Sequence, residues 1–253
     1  MKKIACAILG GALMFVGAAL ATVPPLELHR ETAHFRIYCA SVDNGAADAV
    51  LAQAEQNMNE LSSDFNHQYS CAITINLFPS IESFHEAMGQ PQAPQWFSGR
   101  TKWENRTINL VSPQNPGSYH TYGSIMRQVK VGLVTLFIHE LYFIPRWLDQ
   151  GTALFKAQFL TEESKRELAA LAKDPTQLPT LEQLTPIDNT EEFVQHHGFC
   201  CSETLVEFIN GRWGWDAILE LLAAPNRLEE ILGVSKETLR LQWADFVVNT
   251  YGN

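Results

Sequence analysis

Ile144-Pro-Arg-Trp-Leu-Asp-Gln-Gly-Thr-Ala-Leu-Phe155 is the stretch on which the reading of this chain turns. Pro145 ends any helix before it and suits the start of the next, because its fixed φ fits a first helical turn in which no amide donor is needed. Beyond it Trp147, Leu148, Leu154 and Phe155 recur at helical spacing, which predicts a helix running to about Phe159. The residues before the break, Tyr119 to Tyr142, are a long apolar run that predicts a first helix, with Leu133, Leu136 and Phe137 as partners for the Trp147 face. Two consecutive helices across so short a connection face each other.

Upstream, His34 to Cys39 alternates as a strand, and Cys71 to Phe78 is a second strand with Ile73, Ile75 and Leu77 on one face. Between them Ala46 to Phe65 is an amphipathic helix carrying Val50, Ala54, Met58 and Leu61. Pro79-Ser80 caps a short helix, Ile81 to Met88. After the Gly89 to Pro94 loop comes a hairpin-like region ending in Arg106 to Val111. Asn105-Arg106-Thr107 fits a glycosylation sequon but reads as a turn. Downstream the pattern is helical: Glu162 to Lys173, Glu192 to Asn210, Trp215 to Ala223, Leu228 to Leu232 and Lys236 to Thr250, punctuated by a Pro175 to Pro186 link, Gly211, Gly214, Pro225 and Gly233. The fold class is therefore α+β, a small N-terminal mixed sheet with helices followed by an α-helical lobe. Residues 22–160 form the α/β lobe and 161–253 the helical lobe of the same domain.

Residues 1–21 hold two lysines, an apolar run from Ile4 to Leu20 and the small-x-small ending Ala19-Leu20-Ala21, a pattern that predicts a secretory signal peptide. The expectation is an exported bacterial protein, secreted or periplasmic, with no membrane anchor after cleavage. Removing Lys2 and Lys3, with no acid lost, takes the formal charge from -10 to -12, which argues against nucleic acid or an anionic membrane as partner. Four cysteines remain beyond that segment. Cys39 and Cys71 fall at the end and start of two strands, and in an oxidising compartment they are the predicted disulfide. His196, His197, Cys200 and Cys201 form a local candidate metal cluster, although a single helix would turn its members in different directions.

Several patterns occur in a fixed order: His34-Phe-Arg36, Glu60-Leu61, Asn76-Leu-Phe-Pro79, Phe84 with Met88-Gly89, Gly99, Ile108-Asn-Leu-Val-Ser-Pro113 and Pro145-Arg-Trp-Leu-Asp-Gln-Gly151. Leu178-Pro-Thr-Leu-Glu-Gln-Leu184, Leu205-Val206 with Phe208, Arg212 with Gly214, Leu219 with Leu222, and Leu232-Gly-Val-Ser235 leading to Trp243 complete the series. In that order they resemble the peptidase MA-like, gluzincin-type zinc metallopeptidase domains, from about His34 to Trp243. The resemblance implies a thermolysin-like minimal gluzincin core and zinc-dependent peptide hydrolysis. It also implies a Glu as third zinc ligand, where this chain has Gln150, and an oxyanion-assisting Tyr, where it has Phe199.

The His-Glu-x-x-His motif that supplies two imidazoles on one helical face and a general base is absent from the chain. Placing it at Met126 to Lys130, Gln128 to Gly132 or Val131 to Thr135 restores no ligand. His139-Glu140 is followed by Leu141-Tyr142-Phe143 without a second His, and lies so near Pro145 that the ligand helices are not expected to converge there. His139 then reads as a helix-terminal histidine favoured by the dipole. The sequence thus leads to a pseudopeptidase with no catalytic residues and no cofactor, binding a peptide or protein through Trp96, Phe97, Arg100, Trp103 and Trp147. Lys102 and Arg106 add to a basic spot suited to a ligand carboxylate. The alternatives are a zinc enzyme with unorthodox ligands among His120, His139, Glu140, Asp149, His196 and His197, or a structural envelope protein.

Overall fold

A computed structural model describes residues 25–142, 144–186 and 190–252. The signal-peptide expectation for residues 1–21 lies outside them. Among the described residues five strands and ten α-helices follow in order: β1 (Glu27–Glu31), β2 (Phe35–Cys39), α1 (Asn44–Asp64), β3 (Ile73–Phe78), α2 (Ile81–Ala87), β4 (Gly99–Lys102), β5 (Thr107–Val111), α3 (Tyr122–Leu141) and α4 (Arg146–Ala157). Then come α5 (Glu162–Ala172), α6 (Thr190–Gln195), α7 (Gly198–Trp213), α8 (Trp215–Ala223), α9 (Leu228–Leu232) and α10 (Lys236–Tyr251). The fold is α+β, a mixed sheet near the N-terminus followed by a helical region.

The sheet order is β1-β2-β3-β5-β4. The three inner strands run parallel and the two edge strands antiparallel to them. Alternation sends Phe35, Ile37, Ile73, Ile75, Leu77, Ile108 and Leu110 to one face, where all are buried. Helices α1 and α3 cover that face: Val50, Ala54, Met58 and Leu61 of α1 recur at helical spacing and are buried, as are Val129, Leu133, Leu136 and Phe137 of α3. Local chemistry starts the elements. Thr121 and Ser124 form a capping box on α3, Ser80 and Ser83 another on α2, and Pro145 stands at the N-cap of α4. At the start of α1, Asp43 instead accepts a buried hydrogen bond of 2.5 Å from Ser112, tying the end of β5 to the helix.

One contiguous core runs from Phe35 in the sheet to Val247 in α10, so the α/β and helical lobes share it. Helix α4 is the link between them, packing on α3 and on α7. Its closest approach is at Gly151, where a Cβ would lie 2.8 Å from both the Ser202 carbonyl carbon and Val206 Cγ2. A second close approach is at Gly132 of α3, where a Cβ would fall 2.9 Å from Ile108 Cγ2 and 3.0 Å from Thr101 Oγ1. Further ties are Lys156 to Asp64 and the Trp215 indole N–H to the Asp64 carbonyl at 2.8 Å.

Several expectations need correction. Strand β1 was not foreseen, because its largely exposed residues carry no apolar alternation. The helix expected over Glu192 to Asn210 is two helices, interrupted at His197 with φ +53. Gly198 follows because a Cβ there would meet Phe193 at 2.6 Å. The Cys39–Cys71 disulfide is excluded by the parallel register, which pairs Cys39 with Leu77. Six residues separate Leu77 from Cys71, roughly 20 Å along a strand, against about 4.4–6.8 Å between disulfide-linked Cα atoms. Both are free thiols, Cys39 donating to Asn44 Oδ1 at 3.5 Å.

Helix α7 also buries a carboxylate. Glu203 is 2% exposed and accepts the Leu160 N–H at 3.0 Å. Burial pushes its pKa up from 4.5 to about 7, against the opposing Leu160 hydrogen bond and Lys165 charge. The folded-state pKa lies above the unfolded one, so the penalty is absent below pH 4.5, grows through the window up to 7 and is complete above it. Glu203→Gln, which keeps an acceptor for Leu160, is expected to raise stability at pH 8 by up to about 3 kcal/mol and to change nothing at pH 4. Urea unfolding at the two pH values measures this. Gly151→Ala is expected to lose about 2 kcal/mol in the same assay, because the clash with α7 exceeds the roughly 1 kcal/mol helix-propensity gain.

Candidate functional site

Helix α4 opens with Trp147, Leu148 and Asp149. Trp147, expected to touch a ligand, is 3% exposed and belongs to the core, so it is removed from the binding set. Asp149 is 8% exposed. One of its carboxylate oxygens accepts the Gln150 amide N–H at 2.9 Å and stands 3.5 Å from His139 Nε2; the other, Oδ1, is buried without a hydrogen-bond partner. The His139 ring stacks on Trp103, with centroids 5.2 Å apart and planes 9° from parallel. His139 and Asp149 therefore meet across the α3–α4 pair, which corrects the expectation that nothing converges beside Pro145. The short connection brings the end of α3 against the start of α4 rather than holding them apart.

Glu140, one residue and about 100° further round α3, faces another way, its carboxylate 3.2 Å from His67. Among the described residues no three His, Cys, Asp or Glu side chains gather into a group that could hold a metal. The zinc implied by the resemblance does not fit the donors present: one imidazole, one carboxylate with a lone orphaned oxygen, and a Gln150 amide directed at that same carboxylate. At the earlier alternatives, Gln128 accepts from Ser98 at 3.1 Å and Gly132 is pressed on the sheet, so neither offers a ligand.

The His-Cys cluster disperses. His197 is the left-handed residue before α7, and His196 lies 4.0 Å from Glu192. Cys200 points at the Ser164 carbonyl (3.8 Å) and Cys201 at the His196 carbonyl (3.6 Å). Burial pushes the Cys200 thiol up to about 12 and Cys201 well above its ordinary value, so neither presents a thiolate near neutral pH.

Phe199 lies against Phe193 (5.1 Å) and Trp96 (6.4 Å). The aromatic loop before β4 thus meets the residue standing where the resemblance places a Tyr. The Trp96 carbonyl also pairs with His120 Nε2 at 2.9 Å, and burial lowers the His120 pKa. Phe97, the neighbouring candidate, packs on Phe84 and His85 in a small second cluster. That role is structural.

Trp103 is 46% exposed. It opens the turn between β4 and β5, closed by Arg106 in the left-handed region at φ +53, so the sequon is indeed a turn. With Tyr69, Glu104, Arg106, His139 and Glu140 it lines a pocket of about 250 Å³. Burial, reinforced by the Glu140 charge, pushes the Tyr69 phenol up to about 12 against a hydrogen bond from Arg106, keeping it protonated. No sequence pattern marks Tyr69, which precedes a strand without periodicity of its own.

Strand β4 lies at the sheet edge. The Ser98 carbonyl accepts the Val111 N–H at 3.0 Å, and alternation then turns the backbone groups of Arg100 and Lys102 toward β5 and those of Gly99 and Thr101 outward. The Thr101 side chain lies against α3 near Gly132, so Arg100 and Lys102 project from the opposite face of the sheet.

Neither a scan against protein-family models nor a search of curated proteins finds a match to this chain. If the donors at the α3–α4 junction are inadequate for zinc, Gln150→Glu adds a carboxylate without completing a site. Its zinc content after dialysis against micromolar zinc is expected to stay well below one per chain; one-to-one retention would contradict this.

Proposed function

We propose that the protein is an exported, non-catalytic peptide-binding module, a pseudopeptidase whose binding edge is strand β4. The observation carrying this reading is the outward backbone of Gly99 and Thr101 on an edge strand bracketed by a half-buried Trp96 and an exposed Trp103. An extended segment can pair with such an edge through its main chain while side chains on either side supply selectivity. The ordered resemblance to gluzincin-type domains supports a peptide as the ligand class. The residues at the catalytic places, Gln150 with its amide on Asp149 and Phe199 packed on Phe193, support binding without hydrolysis. The export step rests on the sequence pattern of residues 1–21 alone.

The His139–Asp149 contact favours a second reading, a metal-dependent hydrolase with unorthodox ligands. One experiment separates the two. The purified protein is titrated with fluorescent extended peptides, and the same peptides are checked for cleavage with and without a chelator. Micromolar binding without cleavage is expected. Thr101→Pro, which removes an outward N–H but leaves the β5 ladder intact, should abolish binding, and Trp103→Ala should weaken it about tenfold, the loss expected for one aromatic contact. Chelator-sensitive cleavage would replace the proposal with the hydrolase, and absence of binding to any extended peptide would overturn it.

A further inference from the structure

The two residues of β4 that project from the sheet face opposite α3 are both cationic. Arg100 and Lys102 are two positions apart, so their side chains leave the strand on the same side. Across the sheet, Arg100 is followed by Asn109, Asn76 and Tyr38, and Lys102 by Thr107, Thr74 and Arg36. No carboxylate occupies either row between β4 and β2; the Lys102 row ends in Glu31 on β1. Asn109 turns its amide to the Arg100 carbonyl (3.3 Å) and accepts from Asn76 (3.0 Å), leaving the guanidinium itself without a hydrogen bond. That Glu31 is engaged by Arg36 at 2.7 Å.

Elsewhere among the described residues many cations are matched, among them Arg30 with Asp48, Lys130 with Glu60, Lys156 with Asp64, Lys165 with Glu207 and Lys236 with Glu182, while Arg106, Arg127, Arg166 and Lys173 stand outside any ion pair as well. Among the described residues Arg100 and Lys102 have no ion pair, in a chain whose formal charge is -10. Two neighbouring cations left unpaired beside a free strand edge, in a molecule with acids in excess, are complementary to an anionic strand.

We infer that β4 selects an extended peptide segment carrying Asp or Glu at alternate positions, acid-x-acid, paired antiparallel to the edge. This rests on the reading of β4 as a peptide-binding edge and adds the chemistry of what it takes. The backbones of Gly99 and Thr101 make the hydrogen-bonded pairs with the incoming strand. Arg100 and Lys102 therefore stand at the non-hydrogen-bonded positions, where opposed side chains approach most closely, about 4.5 Å between Cα atoms. Two carboxylates spaced by one residue meet the guanidinium and the ammonium in turn. At physiological salt the repulsion from the protein's net negative charge is screened beyond about 8 Å, while the two contacts are direct.

The test uses the full mature protein and three labelled nine-residue peptides of one Thr/Val-rich sequence, differing only at two alternate positions: Glu/Glu, Gln/Gln or Lys/Lys. Fluorescence polarisation at 0.15 M salt is expected to rank Glu above Gln above Lys, with about tenfold between the first two, the scale set by two cross-strand ion pairs. Arg100→Gln with Lys102→Gln should flatten the ranking, and Arg100→Glu with Lys102→Glu should invert it; circular dichroism verifies that both variants fold. If the wild-type protein binds all three peptides equally, Arg100 and Lys102 merely guard an edge strand, and the charge inference is overturned while the binding edge stands. A Glu preference that survives both double variants also overturns it. Binding of none removes the edge reading and this inference together.

Discussion

Two close backbone approaches govern the arrangement of the molecule. At Gly132 helix α3 presses on Ile108 and Thr101 of the sheet, and at Gly151 helix α4 presses on the backbone of α7 at Ser202. Neither contact has room for a Cβ unless its neighbours shift, and between them the α3–α4 pair is held against the sheet below and the helical region beyond. A buried helix pair of this kind is stabilised by apolar surface removed from water, about 25 cal/mol per Å², and by close packing that leaves little space for a hydrated cation. Val129, Leu133, Leu136 and Phe137 on one helix and Trp147, Leu148 and Leu154 on the other supply that surface. The polar groups at the junction are few, and most are spent on one another.

That economy explains the chemistry at the junction. Asp149 sits in the first turn of α4, where the helix dipole favours an anion, and it gathers the Gln150 amide and the His139 imidazole. A buried carboxylate needs such partners whatever its history, since an unpaired one would be driven to neutralise. The pocket beside it, walled by the stacked Trp103 and His139 rings, opens next to β4. Trp103, the pocket it lines and the strand edge are thus contiguous in space.

Much of the fold was legible because it depends on periodicity. The Trp147, Leu148, Leu154 and Phe155 spacing announced α4, Val50 to Leu61 announced α1, and Ile73, Ile75 and Leu77 announced β3; these residues are buried or packed against the core. What failed was information that periodicity does not carry. Strand β1 has no buried face to betray it. The parallel register between β2 and β3, which carries Cys39 away from Cys71, is a tertiary property. The break at His197 is imposed by the packing of Gly198 on Phe193. At the candidate site, Trp103, Arg100 and Arg106 could be picked out as aromatic and basic residues near a turn, whereas Tyr69 and His67 arrive there from a distant loop. Trp147 was misassigned because one tryptophan at helical spacing serves a core as readily as a ligand.

The account depends on the α3–α4 junction being complete without a metal ion. A protein that binds a divalent cation in its native state alone gains stability in proportion to the logarithm of the free-ion concentration. Thermal unfolding of the purified protein after exhaustive chelation, followed by titration with zinc from 1 to 100 μM, reads that linkage directly. The account predicts a melting temperature that does not move with chelator or zinc. A rise of several degrees that saturates at one zinc per chain and is lost in Asp149→Ala would contradict it.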